Sequence, residues 1–180
     1  MGRACCFTGY RPEKFSFSLV FGNDEMKELE EKIYNAVFAL VEEGFSEFYC
    51  GMASGFDLLC GKAVVDIKRT NPEKAIKLLA AIPYRSQSNG FSNMWKKLYD
   101  IVLHEADESR LISEEYSLNC FEKRNRFMVD NSSTVICYFD GKSGGTANTV
   151  KYALKKGRRI INLADYEIEG ADDAYQLEFI

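Results

Sequence analysis

The chain has 180 residues, of which 46% are apolar and 28% are charged, and its formal net charge is −4. This length favours one domain of roughly 150 residues with a short extension, and the composition is typical of a folded globular protein rather than a disordered one. The negative charge excludes an overall basic surface for nucleic acid, and no apolar run approaches the roughly 20 residues of a membrane-spanning helix.

Short apolar runs alternate with segments of helical periodicity. The predicted strands are residues 4–8, 48–50, 75–82, 134–139 and 159–163, with a weaker candidate at 111–112. Helical spacing predicts helices at about residues 24–43, 55–70, 95–102, 119–131 and 145–156. Because strands of about five residues alternate with helices, we expect an α/β fold. We expect this fold to be a single Rossmann-like domain with a mostly parallel sheet and helices on both faces.

The whole chain, residues 1–180, is predicted to form this one domain, with its core at about residues 4–163. Residues 164–180 form an acidic C-terminal extension, which carries six side-chain carboxylates and no basic residue. That composition fits either a short docked segment or a frayed tail.

The six cysteines form no Cys-x-x-Cys pair, and most of them stand within apolar runs. A free cysteine in such a run behaves as a small hydrophobic residue. The single histidine, His104, has no cysteine at metal-ligand spacing. We therefore predict neither a disulfide framework nor a metal site, and we expect a cytoplasmic protein that requires no cofactor.

Three predicted strands end in Gly-rich turns, at residues 8–12, 51–57 and 140–146. In parallel α/β sheets, ligands bind at the carboxyl ends of the strands. The second and third turns lead directly into helices, whose first N–H groups and dipole favour an anion such as phosphate. A tight turn needs glycine for its own geometry, so one such turn would be weak evidence. Three turns at one edge favour an anionic or nucleotide ligand.

The common nucleotide-binding motifs do not match. Gly141-Lys142-Ser143 is similar to the end of a P-loop, but Ile136 stands where that motif requires its first glycine. The G-x-G-x-x-G fingerprint is absent. The basic cluster at residues 123–126 fits either a solvated helix face or a phosphate or carboxylate site formed by Arg124 or Arg126.

Four segments stand in a distinctive order and spacing, namely residues 7–12, 51–57, 124–125 and 143–146. Together they resemble the YpsA-like family of the SLOG superfamily, over about residues 4–163. The resemblance implies a Rossmann-like fold that binds a nucleotide or a nucleotide derivative, such as an ADP-ribose-like ligand.

The turns and the resemblance single out a set of candidate ligand-binding residues. We expect Arg11 to contact an anionic group, Arg124 to neutralise charge and Asn125 to hydrogen-bond sugar or base. Asp57 either orients a ribose hydroxyl or simply suits the positive end of its helix dipole. The small residues of the turns supply phosphate donors. The full set is Thr8, Gly9, Arg11, Gly51, Ser54, Gly55, Asp57, Arg124, Asn125, Ser143, Gly144, Gly145 and Thr146.

The superfamily also includes the Lonely Guy phosphoribohydrolases, in which an Arg and a Glu do the chemistry. Arg124 matches that Arg, but residues 147–150 after the Gly145-Thr146 turn contain no Glu. Cleavage of an N-glycosidic bond passes through an oxocarbenium-like state that a carboxylate stabilises. The missing Glu therefore disfavours hydrolysis.

The DprA/Smf DNA-processing proteins, also of this superfamily, imply a third function, binding of single-stranded DNA. Such a site needs a basic groove with stacking aromatic residues. The net charge of −4 disfavours a basic groove. We therefore expect a sensor or regulator whose partner is a small nucleotide-type ligand, with no membrane partner. The sequence does not decide whether the chain forms homo-oligomers or whether it turns over its ligand.

Overall fold

The computed structural model describes residues 3–171, which form a six-stranded sheet flanked by five α-helices. The strands are β1 (Arg3–Thr8), β2 (Phe45–Cys50), β3 (Lys77–Ile82), β4 (Glu108–Leu111), β5 (Thr134–Cys137) and β6 (Arg159–Asn162). The helices are α1 (Asp24–Glu42), α2 (Phe56–Thr70), α3 (Asn93–Glu105), α4 (Cys120–Asp130) and α5 (Gly145–Lys155). Short 3₁₀ helices lie at Pro12–Lys14, Pro72–Lys74 and Gln87–Gly90.

The order of strands in the sheet is β4-β3-β2-β1-β5-β6, and each neighbouring pair is parallel. The chain therefore starts in the middle, runs outward through β4, and returns to add β5 and β6 on the other side of β1. Helices α1, α2 and α3 pack against one another on one face, and α4 packs against α5 on the other. This arrangement confirms the predicted Rossmann-like α/β fold.

Strand order reverses between β1 and β5, whose last paired residues are Thr8 and Cys137. In open α/β sheets, the crevice outside the carboxyl ends of the strands at such a reversal is where ligands bind. The turns after β1, β2 and β5 are the three Gly-rich turns, and they meet at this edge because β2, β1 and β5 are neighbours.

The predicted elements match the structure best where apolar residues are dense. In α1, Asn23 caps the first turn by accepting a 2.9 Å hydrogen bond from the Met26 N–H. The weak strand predicted at residues 111–112 overlaps only the end of the observed strand, Glu108–Leu111. This edge strand consists mainly of exposed polar residues, so its sequence lacks the apolar run by which buried strands are recognised.

The six cysteines are buried and unpaired. Burial raises the pKa of both Cys6 and Cys50 to about 12, so these thiols are protonated at neutral pH. Among residues 3–171, no cluster of His, Cys, Asp and Glu side chains could hold a metal ion. Within the same range, no helix combines the length and apolar character needed to cross a bilayer.

The first part of the acidic extension packs beside the turn that follows β5. The Tyr166 ring lies 5.4 Å from the Phe139 ring, and the Asn162 side-chain amide donates a 2.8 Å hydrogen bond to the Tyr166 carbonyl. Residues 164–171 therefore form a docked segment. The rest of the predicted extension, residues 172–180, lies outside the described residues.

Candidate functional site

An open cavity of about 350 Å³ lies at the reversal of strand order, beyond the carboxyl ends of β1 and β5. Its wall combines residues from the turn after β1, the start of α2, the first half of α4 and the start of α5. It is lined by Thr8, Gly9, Tyr10, Arg11, Glu13, Lys14, Ala53, Asp57, Phe121, Arg124, Asn125, Gly145 and Thr146.

A buried ion pair lies at this cavity. Arg124, on α4, and Asp57, in the first turn of α2, are each 5% exposed. The Arg124 Nη1 group donates a 3.1 Å hydrogen bond to Asp57 Oδ2 and a second hydrogen bond to the Gly51 carbonyl. A Cβ atom at residue 51 would overlap the Arg124 guanidinium, so Gly51 makes room for the ion pair.

The guanidinium of Arg124 has unused donor capacity. Among the described residues, no hydrogen-bond partner faces its buried Nε atom, and both of its hydrogen bonds come from Nη1. Burial raises the pKa of Asp57, and the charge of Arg124 and the backbone N–H of Ala53 oppose that rise. The buried guanidinium therefore keeps an N–H donor that the described residues do not use.

The N-terminus of α5 contributes backbone donors to the same cavity. The first backbone hydrogen bond of this helix runs from the Asn148 N–H to the Gly144 carbonyl, at 3.0 Å. The N–H groups of Gly145, Thr146 and Ala147 precede that bond and have no acceptor within the helix. The Thr146 hydroxyl donates a 3.0 Å hydrogen bond to the Gly9 carbonyl and ties α5 to the turn after β1.

The turn between β5 and α5 is held by polar contacts with the turn after β1. The Tyr10 hydroxyl donates to Asp140 Oδ1, and Lys142 Nζ lies 2.6 Å from Asp140 Oδ2. Lys14 Nζ donates a 3.1 Å hydrogen bond to the Ser143 carbonyl. These contacts place the exposed ammonium group of Lys14 beside the start of α5.

The turn between β2 and α2 is packed against protein. The Phe56 N–H donates to the Tyr10 carbonyl at 3.1 Å, and the Leu58 N–H donates to the Ala53 carbonyl at 3.3 Å. Gly55 has a φ of +91°, and a Cβ atom there would lie 2.5 Å from the Tyr10 carbonyl oxygen. Protein carbonyls thus already accept hydrogen bonds from two of the first N–H groups of α2.

The remaining wall comes from Asn125 and Arg11. The Asn125 side-chain amide donates a 2.8 Å hydrogen bond to the Thr149 hydroxyl, which in turn donates to the Gly145 carbonyl at 2.8 Å. Arg11 is exposed, and its Cζ atom lies 4.9 Å from the centre of the Phe121 ring.

The structure brings most of the candidate residues to one cavity. Those that line it are Thr8, Gly9, Arg11, Asp57, Arg124, Asn125, Gly145 and Thr146. The candidates outside its lining are Gly51, Ser54, Gly55, Ser143 and Gly144. Gly51 and Ser143 still act on it indirectly, since their carbonyls hold the side chains of Arg124 and Lys14.

Sequence reasoning missed five lining residues, Tyr10, Glu13, Lys14, Ala53 and Phe121. One signal could have found Phe121, because a residue three positions before Arg124 shares its side of the helix. Glu13 and Lys14 lie in the 3₁₀ helix that directly follows the first Gly-rich turn. Glu13 matters chemically because it and Asp57 are the two carboxylates of the lining.

Comparisons of sequence agree on one family. The YpsA family model, described as the YspA SLOG family, matches residues 5–172. The uncharacterized SPbeta prophage-derived protein YoqJ of Bacillus subtilis (strain 168) is 30% identical over 146 residues, which are 74% of this chain and 84% of YoqJ. A UPF0398 protein of Bacillus thuringiensis (strain Al Hakam) is 24% identical over 169 residues, covering 92% of this chain and 89% of that protein.

Two solved structures have the same fold. DNA processing protein A (DprA) of Streptococcus pneumoniae has a TM-score of 0.58 at 19% identity, with 95% of this chain and 53% of that chain covered. DNA processing protein A of Helicobacter pylori, whose structure concerns its single-stranded DNA binding mode, has a TM-score of 0.56 at 17% identity, with 89% and 64% covered. The chain thus spans about half to two thirds of these proteins.

Proposed function

The chain belongs to the YspA SLOG family, and we propose that it binds a nucleotide or nucleotide-derived ligand in the cavity between β1 and β5. In this proposal the phosphate of the ligand lies at the start of α5, between Arg124 and Lys14. The protein acts as a sensor or regulator, so that binding without turnover is its function.

The observation that carries this proposal is the convergence of three kinds of anion donor on one cavity. The buried guanidinium of Arg124 supplies a charge whose hydrogen bonds are only partly used. The start of α5 supplies backbone N–H groups and the positive end of a helix dipole. Lys14 supplies an exposed ammonium group beside that helix end. An anion in this place satisfies all three.

The size of the cavity supports a ligand larger than inorganic phosphate. Its volume of about 350 Å³ lies at the lower end of the range of about 300–1,000 Å³ that small-molecule sites occupy. The amide of Asn125 and the carboxyl of Asp57 lie in the same wall, where they can hydrogen-bond a ribose.

The test is a binding panel of AMP, ADP, ATP, NAD, ADP-ribose and cyclic dinucleotides, read first by thermal unfolding and then by calorimetry. A ligand at 100 times its dissociation constant adds about 2.7 kcal/mol to the free energy of unfolding, which is a clear shift in Tm. Adenosine, which lacks phosphate, should bind much more weakly than AMP. Saturable binding that depends on the phosphate supports the proposal, and no binding across the panel overturns it.

Two lysine variants locate the phosphate. Lys14→Ala removes an exposed cation that lines the cavity, and Lys151→Ala removes an exposed cation of α5 that does not line it. We expect Lys14→Ala to weaken AMP and leave adenosine unchanged, while Lys151→Ala changes neither. Equal effects of the two variants would place the phosphate elsewhere.

Two further measurements separate the alternative functions. A DprA-like function predicts that an oligonucleotide binds more tightly than any mononucleotide, with an affinity that falls steeply as salt rises. A hydrolase function predicts release of free base from AMP during long incubation. Hydrolysis would need the carboxylate of Glu13 or Asp57 in place of the catalytic Glu, which is absent from the residues after Thr146.

A further inference from the structure

Three aromatic residues form a cluster beside the cavity, which we call the aromatic rim: Tyr84, Tyr116 and Phe121. The ring centres lie 5.5 Å apart for Tyr84 and Tyr116, 5.9 Å for Tyr84 and Phe121, and 6.4 Å for Tyr116 and Phe121, in edge-to-face arrangements. Such mutual packing holds each ring in a fixed orientation.

The aromatic rim continues directly from the cavity wall. Phe121 lines the cavity together with Arg11, whose guanidinium lies over the Phe121 ring. Tyr116 extends the aromatic surface outward from Phe121, on the segment that joins β4 to α4. One wall thus passes from the polar cavity to an aromatic surface without interruption.

One residue of the rim is exposed, and so is a residue next to it in the chain. Tyr116 is 59% exposed, and Leu118, which lies between Tyr116 and Phe121 in the chain, is 94% exposed. Single exposed apolar residues are common, but an exposed ring that packs against a residue of the cavity wall is a surface that a ligand can cover.

We propose that the aromatic rim receives the heteroaromatic base of the ligand, so that the site selects nucleotides over sugar phosphates. This inference rests on the proposed function, because it assumes that the phosphate lies at the start of α5. The base stacks on Tyr116, whose ring packs against Tyr84 and Phe121. Every base has a π-face, so the rim favours a base over no base and discriminates weakly among bases.

The proposal is tested by comparing AMP with ribose 5-phosphate, which keeps the phosphate and the sugar but has no base. Stacking on an aromatic residue contributes on the order of tenfold in affinity, or more. We therefore expect AMP to bind at least about tenfold more tightly than ribose 5-phosphate to the natural protein, as measured by calorimetry.

Three tyrosine variants identify the surface. Tyr116→Ala should weaken AMP by about tenfold and leave ribose 5-phosphate unchanged. Tyr116→Phe keeps the ring and should bind AMP as the natural protein does. Tyr34→Ala is the matched control, because Tyr34 is an exposed tyrosine on α1, on the opposite face of the sheet from α4, and should change neither ligand.

The outcomes separate this inference from the proposed function. Equal affinities for AMP and ribose 5-phosphate, or equal losses of both in Tyr116→Ala, overturn the base site and leave the phosphate site standing. If neither compound binds, both proposals fall. A dimer that Leu118→Ser converts to a monomer, with AMP selectivity unchanged in Tyr116→Ala, would instead assign the rim to contact between copies of the chain.

Discussion

Two Gly-rich turns lie at the same edge of the sheet and lead into helices, yet the structure uses them differently. The turn before α2 is packed, since its carbonyls and N–H groups contact Arg124, Tyr10 and other parts of the chain. The turn before α5 leaves Gly145 exposed and its helix N-terminus open to the cavity.

The difference shows that a glycine in a turn has two distinct physical uses. At Gly51 the missing side chain makes room for another part of the protein, the Arg124 guanidinium. At Gly145 a Cβ atom would meet nothing within 4 Å, so the missing side chain leaves room for a ligand. Both uses produce the same sequence signal, and substitutions in the two turns can separate them.

The largest expected effect comes from the ion pair under the packed turn. Arg124→Ala leaves the buried carboxyl of Asp57 without its partner, and breaking a buried pair in this way costs about 3–5 kcal/mol. Urea unfolding measures the loss. Arg126→Ala is the matched control on the same helix, because its ion pair with Glu122 is exposed and contributes about 0–1 kcal/mol.

The pH dependence of that loss gives a second check. Burial raises the pKa of Asp57, and Arg124 opposes this, so the pKa of Asp57 rises further in Arg124→Ala. The folded variant then binds a proton at pH values where the unfolded chain does not, and its stability falls as the pH rises through that window. We expect the cost of Arg124→Ala to be larger at pH 8 than at pH 5; an equal cost would mean that Asp57 does not carry it.

Gly51→Ala tests the packed turn itself. The new methyl group overlaps the Arg124 guanidinium and lies within 2.5 Å of the Asp57 carboxyl, so the ion pair must move. Overpacking of this kind costs about 1–3 kcal/mol. The free energy of unfolding from urea titration gives the value, and a change below about 0.5 kcal/mol would contradict the packing role of Gly51.

Tyr10→Phe tests what holds the open turn in place. The variant removes the hydrogen bond that the Tyr10 hydroxyl donates to the Asp140 carboxylate and the 3.2 Å bond that it accepts from the Asp140 N–H. A hydrogen bond to a charged group is worth about 1.5–3 kcal/mol. Burial raises the pKa of Asp140, but the hydrogen bonds from Lys142 and Tyr10 outweigh it and lower the pKa below its ordinary value.

Because the folded-state pKa of Asp140 is lowered, its contribution to stability is full above the ordinary pKa and is lost as the pH falls through the folded value. The cost of Tyr10→Phe should therefore be full at pH 7 and shrink below pH 3.8. A cost that is independent of pH would assign it to the Tyr10 ring contacts instead.

The fold could be predicted from the sequence because apolar runs indicate its central strands and apolar residues at helical spacing indicate its helices. In α1, the apolar residues that recur at helical spacing from Met26 to Val41 are the residues that the structure buries. Only the end of the edge strand β4 was predicted, since Glu108, Ser109 and Arg110 are exposed polar residues that give no apolar run. Its pairing with β3 is a long-range property of the sheet.

The site was only partly predictable, for a related reason. The sequence indicated the Gly-rich turns and Arg124, but a local pattern does not reveal that distant carbonyls occupy the donors of one turn. The carbonyl of Tyr10, for example, lies 46 residues before the Phe56 N–H that it binds. Tyr116 and Phe121 were not among the candidate residues, and the structure places Phe121 in the cavity wall with Tyr116 packed against it.

The smallest effect on stability and the sharpest effect on binding should come from Gly145→Ala. The new methyl group meets no atom within 4 Å, and Gly145 does not have a positive φ, so the free energy of unfolding should change by less than about 0.5 kcal/mol. The methyl group nevertheless occupies space beside the first N–H groups of α5, where the phosphate is proposed to lie. Loss of one hydrogen bond to a charged group corresponds to about tenfold or more in affinity for AMP.

Gly51→Ala and Gly145→Ala thus form a matched pair, one that lowers stability and one that lowers binding. If Gly145→Ala binds AMP as tightly as the natural protein, the phosphate does not approach α5 and the two turns share a purely structural use.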